Sequence, residues 1–322
     1  MATIKDVAKK ANVSVATVSR VINNKGYVNE ETRQLVQTAI TELSYIPNEL
    51  ARSLYNKHSK MIGVIVPHFD TQFYAELIEG IENAAMKLGY KIMLSNTQDN
   101  KQREADYIQI FQQYNIDGII VASNAHNAEK LINSNTPIVT VDHILSENIP
   151  SITSNNVLGG VIAAQKLVSG GARYILELRG PSFLLTVSER SLGFRQVLVQ
   201  NNIPYIAYDG DMISPDIALI EKVIRDNPQI DAIFAQSDFL AIHSLHVLQK
   251  MGKRVPEDIQ IIGFDNIVFT KLVSPNITTI EQPIRRMGEL AVESLVKILN
   301  NEPLAEFHRV LDVKLVERES TK

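Results

Sequence analysis

Hydrophobic spacing divides the chain in two. Up to about residue 60, apolar positions recur every three or four residues; from Met61 they gather into short continuous runs separated by helical stretches. In the first part Ile4, Val7, Ala8 and Ala11 share one helical stripe. Asn12 stands where the chain must turn, and Asn tolerates left-handed backbone better than most residues. Ser14 is placed to cap a second helix over 15–23, in which Val18, Val21 and Ile22 face inward. Val15 opens that helix. Ala16, Thr17, Ser19, Arg20 and Asn23 are left for an outer face of small, polar and basic groups. Asn29 can cap a third helix running through Thr32, Leu35, Val36, Ala39, Ile40 and Leu43, with Glu30 and Glu31 in a first turn that favours acids. Ile4, Val7, Val18, Val21, Val36 and Ile40 then form a small core, marginal by itself. This pattern fits a helix-turn-helix whose second helix reads a DNA groove. It also fits a plain helical hairpin with no nucleic-acid role.

YIPNELARSLYNKHSK (45–60) follows. Pro47 suits the first turn of a helix. The stretch 48–54 is helix-compatible but too short to hold its shape unaided, so it reads as a linker that orders against a partner, or as an ordinary interdomain linker. Beyond it, MIGVIV (61–66), KIMLS (91–95), GIIVA (118–122), PIVTV (137–141), YILEL (174–178), AIFAQ (232–236) and QIIGF (260–264) read as buried strands. Helical patterns over 73–89, 102–114, 157–169, 189–201, 215–226, 239–251 and 284–299 alternate with them. The expectation is an α/β fold with parallel sheets in two similar lobes, preceded by the helical head. Domain limits are expected at 1–46, 47–60 and 61–322.

In open α/β sheets ligands bind beyond the carboxyl ends of the strands. Asp70, Asp142, Ser237, Asp238 and Asp265 stand at such ends, and Arg190 is expected to open the helix after YILEL. Carboxylates converging with an arginine suit sugar hydroxyls. The alternative is that loop Asp residues merely cap helices.

Charge sharpens the division. Of 322 residues, the first 60 hold nine Lys and Arg against five Asp and Glu, a net of +4, and the rest carry −8. A basic head on an acidic body suits a polyanion-binding module joined to a domain with another task. There is no cysteine, which excludes thiol chemistry and fits a reducing cytoplasm. No run approaches the ~20 apolar residues that span a bilayer, and the start does not look like a signal peptide. A cytoplasmic location is expected. There is no GxSxG, HExxH, P-loop or GxGxxG. His243 and His246 lie three apart on a helix but lack further metal ligands; neither an enzyme nor a metal site is expected, and no cofactor. A transport-type sugar-binding protein fits the core but not the basic head.

TIKDVAKKANVSVATVSRVINN (3–24), YIPNELARSL (45–54), NNVLGG (155–160), ERSLGF (189–194), SDFLAI (237–242), IIGFDN (261–266) and TTIEQPIRRMGELAVE (278–293) occur in one order along the chain. With these motifs the chain resembles LacI/GalR-family transcriptional regulators over essentially its full length, ribose and sucrose operon repressors of Gram-positive bacteria in particular. The resemblance implies a helix-turn-helix head, a hinge helix, a two-lobed periplasmic-binding-protein-like core, and a homodimer on double-stranded operator DNA. Because the chain ends at VERESTK without a leucine heptad, a dimer rather than a coiled-coil tetramer is expected. By position, Val15, Ala16 and Arg20 would read major-groove bases; Thr17, Ser19 and Asn23 would touch phosphates; Leu54, beside Ala51, would wedge into the minor groove. Phe73, Asp142, Arg190, Met212, Ser237 and Asp265 would hold a sugar or sugar phosphate. Three departures from the family pattern, Thr71-Gln72-Phe73-Tyr74 in the first loop, Asn155 for Asp and Ser237 for Asn, bear on which ligand that is. The resemblance implies repression relieved by the sugar. The other reading is a catabolite-control-type regulator whose DNA binding is promoted by a phosphocarrier protein or another corepressor.

Overall fold

The structure is a computed structural model and describes residues 2–24, 26–46, 58–122, 127–212 and 214–322. It divides into two compact units, residues 1–60 and 61–322, each described here by itself. The expected hinge residues Ala51 and Leu54 lie outside the described residues.

In the first unit, α1 (Ile4–Lys10) is held at its start by a capping box: the Thr3 hydroxyl accepts from the Asp6 amide, and the Asp6 carboxylate accepts from Thr3 N at 2.8 Å. Asn12 makes the turn at φ 54°. Ser14 caps α2 (Val15–Asn23) by accepting from Thr17 N at 3.1 Å, and Asn24 ends it in left-handed backbone. Asn29 caps α3 (Glu30–Glu42) through Thr32 N at 2.8 Å. Val7, Ala8, Ala11, Val18, Val21, Val36 and Ala39 are buried together, with Ile4 and Ile40 at the rim.

The second unit holds twelve strands among the described residues: β1 (Met61–Val66), β2 (Lys91–Asn96), β3 (Gly118–Val121), β4 (Ile138–Val141), β5 (Ser151–Ser154), β6 (Ile175–Arg179), β7 (Tyr205–Asp209), β8 (Ala232–Ala235), β9 (Gln260–Asp265), β10 (Thr278–Glu281), β11 (His308–Leu311) and β12 (Lys314–Val316). They form two six-stranded sheets, in the orders β2-β1-β3-β4-β5-β11 and β7-β6-β8-β9-β10-β12. All neighbours are parallel except β10 and β12. The helices are α4 (Gln72–Lys87), α5 (Lys101–Gln113), α6 (Ala128–Ile132), α7 (Asn156–Ser169), α8 (Leu185–Gln200), α9 (Ile217–Asp226), α10 (Asp238–Lys250) and α11 (Ile284–Leu299).

Each sheet is covered on both faces, as parallel sheets require. In the amino lobe α4 and α11 bury one face, and Ile108, Phe111 and Leu131 from α5 and α6 bury the other. In the carboxy lobe α7 and α8 cover one face and α9 and α10 the other. The chain passes between lobes after β5, after β10 and after β11. The segment after β10 delivers α11 back to the amino lobe, where Ile284, Met287, Leu290 and Leu295 complete its core.

One expectation is corrected. Helix α8 begins at Leu185, not near residue 189, so Arg190 lies in its second turn rather than opening it. No side chain caps α8; packing of Val187, Phe194 and Val197 holds it, and a helix fixed by packing leaves no start signal in the sequence. Glycines permit the closest helix contact: a Cβ on Gly193 would overlap the Val157 carbonyl oxygen, and one on Gly160 that of Arg190.

Candidate functional site

Helix α2 turns Val18 and Val21 into the head core and leaves Val15, Ala16 and Arg20 exposed, with Thr17, Ser19 and Asn23 half-buried. All three half-buried polar side chains are engaged locally. The Thr17 hydroxyl lies 2.9 Å from that of Ser14, and Asn23 Nδ2 donates to Ser19 O and Oγ at 2.9 and 3.2 Å. The Arg20 side chain extends alongside Gly26. Arg33 Nη1 donates to Asn24 Oδ1 at 2.8 Å, tying the end of α2 to α3.

In the second unit a cavity of about 120 Å³ opens between the carboxyl ends of the two sheets. Phe73, Asp142, Arg190, Met212, Ser237 and Asp265 all line it. A vestibule of about 570 Å³, bordered by His68, Asp99, Phe183 and Asp211, shares Tyr74, Asp142, Thr186 and Met212 with it.

Arg190 organises the site. It is 5% exposed; Nε donates to Asn156 Oδ1 at 2.9 Å, Nη1 donates to Gln236 O at 2.7 Å, and the guanidinium lies 3.8 Å from the Phe264 ring centroid. A guanidinium so stacked and forked cannot be replaced by an ammonium without loss. Asp142 and Asp265 flank it. Burial pushes Asp142 up to about 7, against the pull of Arg190 and with the help of Asp265. Burial pushes Asp265 up to about 6, opposed by Arg190 and by Gln282, whose Nε2 donates to Asp265 Oδ1 at 2.7 Å.

Neither carboxylate is a helix cap. Asp142 sits at φ 66° and Asp265 at φ 114°, strained backbone of the kind that gathers at functional sites. Ser237 does cap a helix, α10, accepting from Leu240 N at 3.3 Å, while its residue still borders the cavity. Asn155 caps α7 through Leu158 N at 3.0 Å and is not among the lining residues. Asp70 lies 3.8 Å from His68 Nδ1. Asp238 is buried under the site, its carboxylate accepting from Thr279 Oγ1 at 2.6 Å and Ile267 N at 2.8 Å.

Sequence reasoning missed several groups. Asn156 aims Arg190, and Gln282, Thr186, Phe239 and Ile267 join the lining, beside Thr71, Gln72 and Tyr74 of the first-loop segment already singled out. Among the described residues Thr71 Oγ1, Asp142 Oδ1 and Gln282 Oε1 are buried polar atoms with no protein partner. Most buried polar groups in native proteins are paired, and these three oxygens belong to residues that line one cavity, where a ligand could bond them. Among the described residues there is no group of three or more metal-ligating side chains, and no helix long and apolar enough to cross a membrane.

Two family models match the chain: bacterial regulatory proteins of the lacI family over residues 3–48, and a periplasmic binding protein-like domain over residues 164–321. The ribose operon repressor of Halalkalibacterium halodurans is 38% identical over 100% of this chain and 98% of its own length. The sucrose operon repressor of Streptococcus mutans is 36% identical, over 99% of each. Among solved structures, the lac repressor dimer bound to operator and the anti-inducer ONPF matches with a TM-score of 0.89 at 26% identity, over 99% of both chains. The resemblance carried by the motifs is thus borne out along the whole chain.

Proposed function

The chain belongs to the LacI family of bacterial regulatory proteins, and on that premise we propose that it represses a carbohydrate operon and leaves its operator when a neutral sugar enters the cleft. Residues 1–46 read the operator, 47–60 are the hinge, and 61–322 bind the sugar and dimerise. Arg20, with Val15 and Ala16, reads base edges; Thr17, Ser19 and Asn23 position α2 on phosphates. Ala51 and Leu54 act at the minor groove.

One observation carries the sugar reading: two carboxylates and one guanidinium share a cavity with three unpaired buried oxygens. Phe73 and Met212 supply apolar walls for the faces of a sugar ring, and Arg190, Ser237, Asp142 and Asp265 address its hydroxyls. The same balance argues against a phosphate. Arg190 is faced by Asp142 and Asp265, and a dianion would meet both carboxylates directly, with Asp99 and Asp211 in the vestibule. A cavity of about 120 Å³ suits one ring.

The sugar touches both lobes, so it favours the lobe arrangement in which both sets of contacts form. Two heads on one dimer gain affinity through effective concentration only while held at the half-site spacing. A change of lobe angle undoes that spacing, and the coupling must be reciprocal.

Fluorescence anisotropy of a labelled pseudo-palindromic operator, at fixed salt, tests this with ribose, sucrose, fructose and their phosphates. Specific binding weakened by a free sugar and not by its phosphate is expected. Release by the phosphate alone refutes the neutral-sugar assignment. Operator binding indifferent to every sugar, yet strengthened by a phosphocarrier protein, replaces the induction reading with corepression.

A further inference from the structure

We propose that Gln72 is a latch between the lobes, and that it acts on the sugar response through its bond to the Val268 amide, not through contact with the ligand. The inference rests on the sugar reading of the cleft only for its ligand arm.

Gln72 is the first residue of α4, in the amino lobe, within the Thr71–Tyr74 segment that departs from the family pattern. Its Oε1 accepts from Val268 N at 2.8 Å, from the loop that follows β9 in the carboxy lobe. Its Nε2 donates to Glu76 Oε1 at 2.9 Å, one turn along α4. That second bond fixes which end of the carboxamide faces which partner, so the oxygen is aimed across the cleft. Glu76 is itself 3.8 Å from Arg285 Nε, in the first turn of α11 in the same lobe.

The receiving loop is built to transmit a pull. Val268 opens a single 3₁₀ turn (Val268–Lys271), and the first amides of such a turn have no partner within it. The amide before it, Ile267 N, donates to buried Asp238. Successive amides are therefore drawn to opposite lobes. Asn266, at φ 60°, is held on both sides of its carboxamide: Nδ2 donates to Glu281 Oε2 at 2.9 Å, and Arg318 Nη2 donates to Oδ1 at 2.5 Å. Arg318 also donates to Thr270 Oγ1 at 3.0 Å and Ile277 O at 2.6 Å. The loop is thus fastened to the carboxy lobe at 266, 267 and 270, and a bond from Gln72 to 268 is a bond to the lobe as a whole. Asp265, which lines the cavity, is the residue just before this fastened stretch. The latch and the sugar site share one loop, so a ligand that draws Asp265 and Asp142 together favours the state in which the latch is closed.

The test uses the full chain. Hydrogen exchange at the Val268 amide is compared between wild type and Gln72→Met, without sugar. A latch worth one neutral hydrogen bond predicts roughly three- to tenfold faster exchange in the variant; an unchanged rate overturns the proposal. D-ribose affinity is then measured for wild type, Gln72→Met, Val268→Pro and the double variant. Proline removes the donor at a helix-opening position where it is tolerated, and Val268 does not line the cavity. A similar roughly three- to tenfold weakening in each single variant, with no more in the double, supports the latch. Weakening by Gln72→Met alone means that Gln72 contacts the sugar, and overturns it. If Val268→Pro does not fold, or if wild type does not bind D-ribose, the exchange comparison decides the latch, and the missing ribose binding counts only against the choice of sugar.

Discussion

Asp142 and Asp265 occupy equivalent places in the two lobes. Each stands at the carboxyl end of the fourth strand of its sheet, β4 and β9, each has positive φ, and both bear on Arg190. One structural device, used twice, faces itself across the cleft.

That pairing has a pH signature. A carboxylate in an unfolded chain titrates near 4, whereas Asp142 is held at about 7 and Asp265 at about 6. Between about pH 4 and about pH 7 the folded core binds more protons than the unfolded chain, so stability contributed by these groups falls as pH rises through that window. Sugar hydroxyls donate best to ionised carboxylates, so affinity should rise several-fold from about pH 5.5 to about pH 8. Calorimetry near pH 6.5 in buffers of different protonation enthalpy should record proton release on sugar binding; proton uptake would contradict the assigned role.

Arg190→Lys keeps the charge and loses the fork and the stacking on Phe264. Sugar affinity should drop at least about tenfold, with operator binding kept and no longer released by sugar. Titrating operator complexes of the variant with each sugar reads this directly.

Gly193→Ala drives a methyl group into the Val157 carbonyl. Overpacking at a backbone–backbone contact should cost roughly 1–3 kcal/mol and displace the helix that carries Arg190. Denaturant unfolding of the core is the measurement; an unchanged midpoint would mean that α7 and α8 separate freely.

Arg20→Ala should weaken specific operator binding by roughly 1–3 kcal/mol and leave random-sequence DNA binding less affected. Leu54→Ala should weaken operator binding without changing sugar affinity. Anisotropy with operator and scrambled duplexes separates the two roles, and an operator affinity untouched by Leu54→Ala refutes the hinge wedge.

How far the sequence carried this reading depended on burial. Strands β1, β3, β4, β6, β8 and β9 are covered on both faces and read as apolar runs. Strand β5 (SITS) is mostly buried yet polar, β10 (TTIE) places Thr278 and Thr279 in side-chain hydrogen bonds, and β11 is largely exposed; none of these carries an apolar run. Asp142, Ser237 and Asp265 were legible because each follows a recognisable apolar strand, and Arg190 because it lies in the helix after YILEL; Phe73 and Met212 came only from the resemblance. The roles of Gln282, Asn156 and Gln72 were not legible because they depend on partners 17, 34 and 196 residues away. Asn156 stands just before the helical pattern 157–169, and only the fold shows that it aims Arg190.

The return of α11 to the amino lobe has a consequence for synthesis on the ribosome. Strands β1 to β5 emerge first, but the side chains that complete the cover of one face of their sheet, Ile284, Met287, Leu290 and Leu295, come only after β6 to β10 of the carboxy lobe. At ~5–20 residues per second, the part of that face not covered by α4 stays exposed for on the order of ten seconds. The newborn amino lobe is therefore the segment that chaperones must shield, and the carboxy lobe, nearly continuous from α7 to β10, is the one able to fold while it waits.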